Sequence, residues 1–170
     1  GVQESRDALI IALLYSCGIR LAELQGIHFG DFSADMASLH VRGKGDKHRM
    51  IPVLPELAER IERYAELLRE EGISTSAEAP IIVSEQGKPL SRSTIQRVVK
   101  SKLGEANVQG KKSPHILRHT FATRAVESGM DLRTLSEILG HTKVSLTLQL
   151  YAHSTMETKI EAMNCIEKYL

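Results

Sequence analysis

The 170-residue sequence predicts a mainly α-helical domain that carries one small antiparallel β-sheet. Three observations lead there. Apolar residues recur at helical spacing through most of the chain, and one segment alternates about a glycine-rich turn. No proline- or glycine-rich linker, repeat or low-complexity tract divides it. At this length one domain buries a real core, and 42% hydrophobic with 25% charged residues is the ordinary balance of a soluble globular protein.

Taken in order, Ser5 is expected to cap a first helix through Ala8, Leu9, Ala12 and Leu13, stopped near Gly18. A second, short helix begins around Arg20 and ends near Gly26. Residues 39–42 and 48–53, joined by Gly43-Lys44-Gly45-Asp46, read as a β-hairpin with a glycine-rich tip. Pro55 suits the first turn of an amphipathic helix with Leu57, Ile61, Tyr64 and Leu68 on one face. Ile81-Ile82-Val83 reads as a short strand, and Gln86-Gly87-Lys88-Pro89 as a turn. Ser91 can cap a basic helix reaching about Glu105. Ser113-Pro114 is a helix start for the segment from His115 through Ser128. Further helices are expected over residues 132–139, 143–151 and 157–169.

Composition excludes some classes and leaves others open. No stretch has the unbroken apolar length that spans a bilayer, and no basic-then-apolar N-terminal signal is present. Cys17 and Cys165 fall in apolar helical patterns, so buried free thiols and a reducing cytoplasm are expected. The net charge of +1 hides a polarised chain. From Gln86 to Thr120 eight cations face one acid, a local +7, and the hairpin from Arg42 to Arg49 adds a local +3. Acids gather instead at Glu56, Glu59, Glu62, Glu66, Glu70 and Glu71. One basic face is the pattern of a phosphate-binding surface, although solvated basic helices would look the same.

Four polar clusters interrupt the apolar pattern. Arg20, just after a glycine stop, can project towards a phosphate, with Glu23 one turn on; taken alone this is a surface ion pair. Lys44 stands between two glycines at the hairpin tip, in a pattern that is not a phosphate-binding P-loop. His115 and Arg118 lie three apart in the first turns of a helix, where free N–H groups favour an anion. His115 and His119 have metal-ligand spacing, but Arg118 between them repels a cation and no Glu follows the first His, so no metal or other cofactor is expected. His119 reads as a core or capping histidine. In the fourth cluster Gly140 ends a helix before His141, and Tyr151 lies roughly three turns along the next helix. Two arginines, a histidine, a lysine and a tyrosine together suit phosphodiester chemistry without a metal. The guanidiniums would grip non-bridging oxygens, and the tyrosine would be the nucleophile.

Arg20 followed by Leu-Ala-Glu-Leu, Lys44 in Arg-Gly-Lys-Gly, His115-x-x-Arg118-His119, Leu139-Gly140-His141 and Tyr151 stand in the order found in tyrosine recombinases. The chain resembles the catalytic domain of phage integrases and bacterial chromosome-dimer resolvases over essentially its whole length. The Ser-Pro-His-Ile-Leu-Arg-His-Thr-Phe-Ala-Thr run is especially close to the family pattern. The resemblance implies the tyrosine recombinase catalytic-domain fold over residues 1–170, lacking the N-terminal DNA-clamping domain usual in the family. It implies that Tyr151 attacks the scissile phosphate, that Arg20, Arg118 and His141 hold it, that His115 assists proton transfer, and that Lys44 is the general acid. Arg42, Lys47, Arg92, Arg97, Lys100, Lys111 and Lys112 would contact double-stranded DNA. Four protomers would assemble on two DNA sites, each a monomer in isolation, in a bacterial or phage setting. Ile160, Met163 and Ile166 would form a C-terminal stripe packing on a neighbouring protomer.

Tyr151 lies ten residues after His141, one more than the commonest family interval, and one residue turns a helix by about 100°. A bulge, a shifted helix start or a tyrosine segment that swings in on an assembled DNA complex would absorb it. Two other readings stand beside recombination. One is a type IB topoisomerase, and the other a non-catalytic module using residues 92–102 as a groove-reading helix.

Overall fold

The first helix occupies the middle of the molecule, because from Ala8 to Tyr15 its sequence is apolar on every side. In a computed structural model that describes residues 1–149, α1 (Val2–Cys17) buries Leu9, Ile10, Leu13, Leu14 and Cys17 completely. It packs against α3 (Pro55–Glu70), α4 (Arg92–Glu105) and α5 (Pro114–Glu127). A helix that is apolar all round belongs in a core, not on its edge. It begins a turn earlier than expected, with Gly1 at the cap position and Ser5 inside, because tertiary contacts extend to Val2. At its end Gly18 takes a left-handed φ of 61°, and a Cβ there would collide with the Phe121 ring.

Gly18 turns the chain into α2 (Leu21–Gln25), and a 3-10 turn follows over Phe29–Asp31. Strands β1 (Ser38–Arg42) and β2 (His48–Pro52) form the expected antiparallel hairpin, with Val41 opposite Arg49 and Leu39 opposite Ile51. Leu39, Val41 and Ile51 face the core. On the outer side His40 and His48 stack with ring centroids 4.8 Å apart. Helix α3 buries Leu57, Ile61, Tyr64 and Leu68, the face its periodicity predicts. The segment Ile81-Ile82-Val83 is buried but does not form a strand. It is held by isolated bridges, Pro80 to His28 and Val83 to Pro89, because it threads between elements where no extended partner runs alongside.

Ser91 caps α4 by accepting from the Thr94 amide, as its position predicts. Helix α5 starts at Pro114, and α6 (Leu132–Leu139) is capped by Asp131 and ends at Gly140 with φ 68°. Helix α7 (Val144–Gln149) follows. A smaller apolar cluster of Ala122, Ala125, Leu135 and Leu139 joins α5 to α6. Among the described residues no helix is long and apolar enough to cross a membrane. Cys17 is a buried free thiol whose pKa burial pushes up to about 12. Cys165, the expected helix over 157–169 and its Ile160, Met163 and Ile166 stripe lie outside the described residues.

Candidate functional site

The C-terminal end of α6 draws three arginines from distant parts of the sequence. The last carbonyls of any helix lack intrahelical donors and carry the negative end of its dipole. Here Arg49 Nε donates to Ile138 O at 2.7 Å, and Arg118 Nη2 donates to Leu139 O at 2.8 Å. Arg20 Nη1 reaches the same Leu139 O at 3.5 Å. Arg118 Nη1 also donates to Gly18 O, so one guanidinium ties the end of α1 to the end of α6.

Glu23 is the counter-charge. Arg49 grips it with two N–H···O bonds of 2.8 Å, and the Arg20 amide donates to it at the same distance. Burial alone would raise the Glu23 carboxyl, but hydrogen bonds and charge from Arg49 and Arg20 hold it below its ordinary value. Three guanidiniums then share one carboxylate, which leaves the site strongly cationic. Arg118 is buried, and desolvation with the nearby Arg20 charge pushes its pKa down to about 10, so it stays charged at neutral pH.

His141 follows the left-handed Gly140 and sits beside Arg118, Nε2 to Nη2 at 3.2 Å. A guanidinium only donates, so Nε2 accepts, the ring proton is on Nδ1, and Nδ1 donates to Thr147 Oγ1 at 2.9 Å. Partial burial and then the charges of Arg118, Arg20 and Arg49 lower the His141 pKa, which agrees with this neutral tautomer.

These groups face two adjoining clefts. Arg20 and His141 line both. Lys44, Lys47 and Arg49 line the first, of about 740 Å³. Arg92, His115 and Arg118 line the second, of about 430 Å³. The structure therefore sets Arg20, Lys44, His115, Arg118 and His141 along two clefts that share Arg20 and His141, whereas Tyr151 lies outside the described residues. Of the predicted DNA contacts, Arg97, Lys100 and Lys112 meet in a neighbouring cleft beside Pro114. Arg42 instead pairs with Asp46 at 3.3 Å, and Lys111 is exposed.

Two local readings change. Glu23 is buried, so the Arg20–Glu23 contact is not a simple surface pair. His119 is exposed rather than in the core, because at about 100° per residue it turns away from the face of α5 that buries Leu117, Arg118, Ala122 and Ala125. Sequence reading also missed Arg49 as a site residue. Its signal was parity: in β2 it takes the inward position shared with Ile51, where a charge needs a partner.

The chain is similar to known proteins in sequence and in fold. The tyrosine recombinase XerD of Staphylococcus saprophyticus is 38% identical over 148 residues, which make up 87% of this chain and 50% of that protein. The crystal structure of XerA recombinase superposes with a TM-score of 0.79 at 31% identity, over 95% of this chain and 58% of that one. XerH site-specific recombinase, in a post-cleavage complex with a palindromic difH substrate, superposes with a TM-score of 0.78 at 25% identity, over 98% of this chain and 47% of that one. The chain spans about half the length of the curated relatives it matches. A family match runs through the whole described fold, over residues 1–158, and by it the chain belongs to the phage integrase family.

Proposed function

We propose that this chain is the catalytic domain of a site-specific DNA recombinase that cuts and rejoins strands through a 3′-phosphotyrosyl intermediate. The observation that carries this reading is the gathering of Arg20, Arg118 and His141 at the end of α6, beside clefts that Lys44 and His115 line. Relatives named as tyrosine recombinases, and a Tn1549 transposon integrase of similar fold solved in complex with circular intermediate DNA, support double-stranded DNA as the partner.

In this reading the scissile phosphate enters between Arg20 and Arg118. Arg118 spends three of its donors on Gly18, Leu139 and His141, which aims the rest of its fork at the cleft. The arriving negative charge favours protonated His141, whose Nε2 then turns from acceptor into donor. Each such preorganised donor contributes about 3–4 kcal/mol to the transition state. The Tyr151 oxygen attacks phosphorus with help from His115, the bond to the 5′ oxygen breaks, and Lys44 delivers a proton to that oxygen. The phosphotyrosyl bond conserves the energy of the broken one, so a 5′ hydroxyl from a partner strand reverses the step without ATP.

Arg92, Arg97, Lys100, Lys111 and Lys112 would continue a phosphate track on one side of the cleft, with Arg42 and Lys47 on the other. Four protomers on two sites would exchange strands through a Holliday junction, and the chain would be monomeric without DNA. Such a protein works in a bacterial cytoplasm.

A randomised pool of duplexes carrying bridging 5′-phosphorothiolates tests the reading, because the sulfur leaving group traps the adduct. A denaturation-resistant adduct mapped to Tyr151, and lost in Tyr151→Phe, is expected. DNA binding with no adduct would instead leave a binding module. Relaxation of supercoiled DNA by isolated monomers would point to a topoisomerase.

A further inference from the structure

The proposed reaction gives Arg49 no part, yet its surroundings are unusually well made. Its fork meets both oxygens of Glu23 at 2.8 Å, and its Nε donates to Ile138 O at 2.7 Å. The two side chains are only 11% and 4% exposed. A bidentate pair fixes distance and plane together, which a lysine ammonium cannot do.

Two glycines rest on this pair. A Cβ on Gly43 would stand 3.3 Å from Glu23 Oε1 and 3.5 Å from Arg49 Nη1. A Cβ on Gly140 would stand 2.9 Å from Arg49 Nη1 and 3.1 Å from its Cζ. Gly43 immediately precedes Lys44, and Gly140 immediately precedes His141.

The neighbouring groups do not depend on Arg49 equally. The Arg20 amide keeps Glu23 without it. Arg118 on Leu139 O and Thr147 on the His141 ring hold the second turn independently. Lys44 has less behind it. Its tip is closed by the Gly43 amide on Lys47 O at 2.7 Å and otherwise braced through exposed Asp46, to Arg42 at 3.3 Å and His48 at 3.1 Å. Exposed pairs of that kind hold little.

We propose that Arg49 is a positioning residue: its forked pair with Glu23 is the platform on which Gly43 rests, and it thereby aims Lys44 into the cleft. This rests on the recombinase reading for what Lys44 does there, namely protonating the leaving 5′ oxygen.

Leaving-group chemistry separates that role from general damage. A thiolate leaves without a proton, so a misplaced Lys44 matters for a bridging oxygen and not for a bridging sulfur. One duplex, selected by the parent chain from the randomised pool, is prepared in both forms. Arg49→Lys is expected to slow adduct formation on the oxygen duplex about 100-fold, the scale of an ångström's misplacement. On the sulfur duplex it should react near the parent rate, and Lys44→Ala should show the same pattern. Equal slowing on both duplexes, or slowing on neither, overturns the proposal. Should Arg49→Lys fold poorly, Arg49→Met combined with Glu23→Gln buries no lone charge and takes the same test.

Amide hydrogen exchange gives a second readout that needs no reaction. The amides of residues 43–47 should exchange faster in the variant while those of α1 and α3 are unchanged. Unaltered exchange in the hairpin overturns the proposal. Should the parent chain form no adduct with either duplex, the recombinase reading falls, and exchange still decides whether Arg49 seats the hairpin.

Discussion

The two walls of the cleft are built differently. On the inner wall, formed by α5 and the turn after α6, Arg118 is buried and its donors reach Gly18, Leu139 and His141. On the outer wall, formed by the α2 cap and the hairpin tip, the Arg20 side chain is 45% exposed and Lys44 stands in solvent. The inner wall is therefore part of the folded core, held before any ligand arrives. The outer wall keeps hydrated cations for an incoming anion. Substitutions inside should cost stability and function together, whereas those outside should cost function alone.

The largest effect is expected at Arg118. Arg118→Ala strands the Gly18 and Leu139 carbonyls and should lower unfolding free energy by about 2–4 kcal/mol while abolishing the DNA adduct. Urea denaturation checks the first, and a loss below about 0.5 kcal/mol, the range of surface changes, would erase the difference between the walls. Gly140→Ala comes next. Its φ of 68° and the 2.9 Å approach to Arg49 should together cost about 1–2 kcal/mol, read from the same transition.

Arg20→Ala sharpens the other side. Its stability should move by less than about 1 kcal/mol, because its side chain is half-exposed and Glu23 keeps the Arg20 amide and Arg49, while adduct formation falls about 100-fold or more. Stopped-time adduct gels measured beside the unfolding curve test the pairing of those two numbers.

A smaller effect should appear in the pH dependence. The folded His141 resists protonation, so below its ordinary value of 6.5 the unfolded chain binds more protons and stability falls as pH drops. Glu23, whose folded pKa is lowered, adds a further loss below 4.5, as the unfolded carboxyl takes up protons that the folded one refuses. His141→Gln should flatten the first decline and leave the second, which thermal melts across pH will reveal. The smallest effect belongs to Lys100→Ala, on an exposed face of α4. Stability should be unchanged within about 0.5 kcal/mol. The slope of log DNA affinity against log salt should shrink by about 0.9 if that lysine neutralises a phosphate.

Much of this could be read before the fold. The apolar spacing of α3, the Ser91 cap of α4 and the limits of α6 follow from local rules, because periodicity and capping act over a few residues. The same rules placed a strand at Ile81–Val83, where burial without a neighbouring strand gives isolated bridges instead. Arg20, Lys44, His115, Arg118 and His141 were legible as candidates because each interrupts an apolar pattern. Arg49 was not, because its meaning depends on which way one strand faces and on what lies opposite.

The sequence by itself determined the hairpin and most of the described helices, the polarity of charge and the residue types able to hold a phosphate. Only the tertiary structure decided which polar groups are partners. Glu23 joins Arg49, which is 26 residues away, and Arg118 joins Gly18, which is 100 residues away. The physical reason is that orphaned carbonyls at the end of α6 and a desolvated carboxylate need donors. The chain supplies those donors only once α1, the hairpin and α5 have packed against one another.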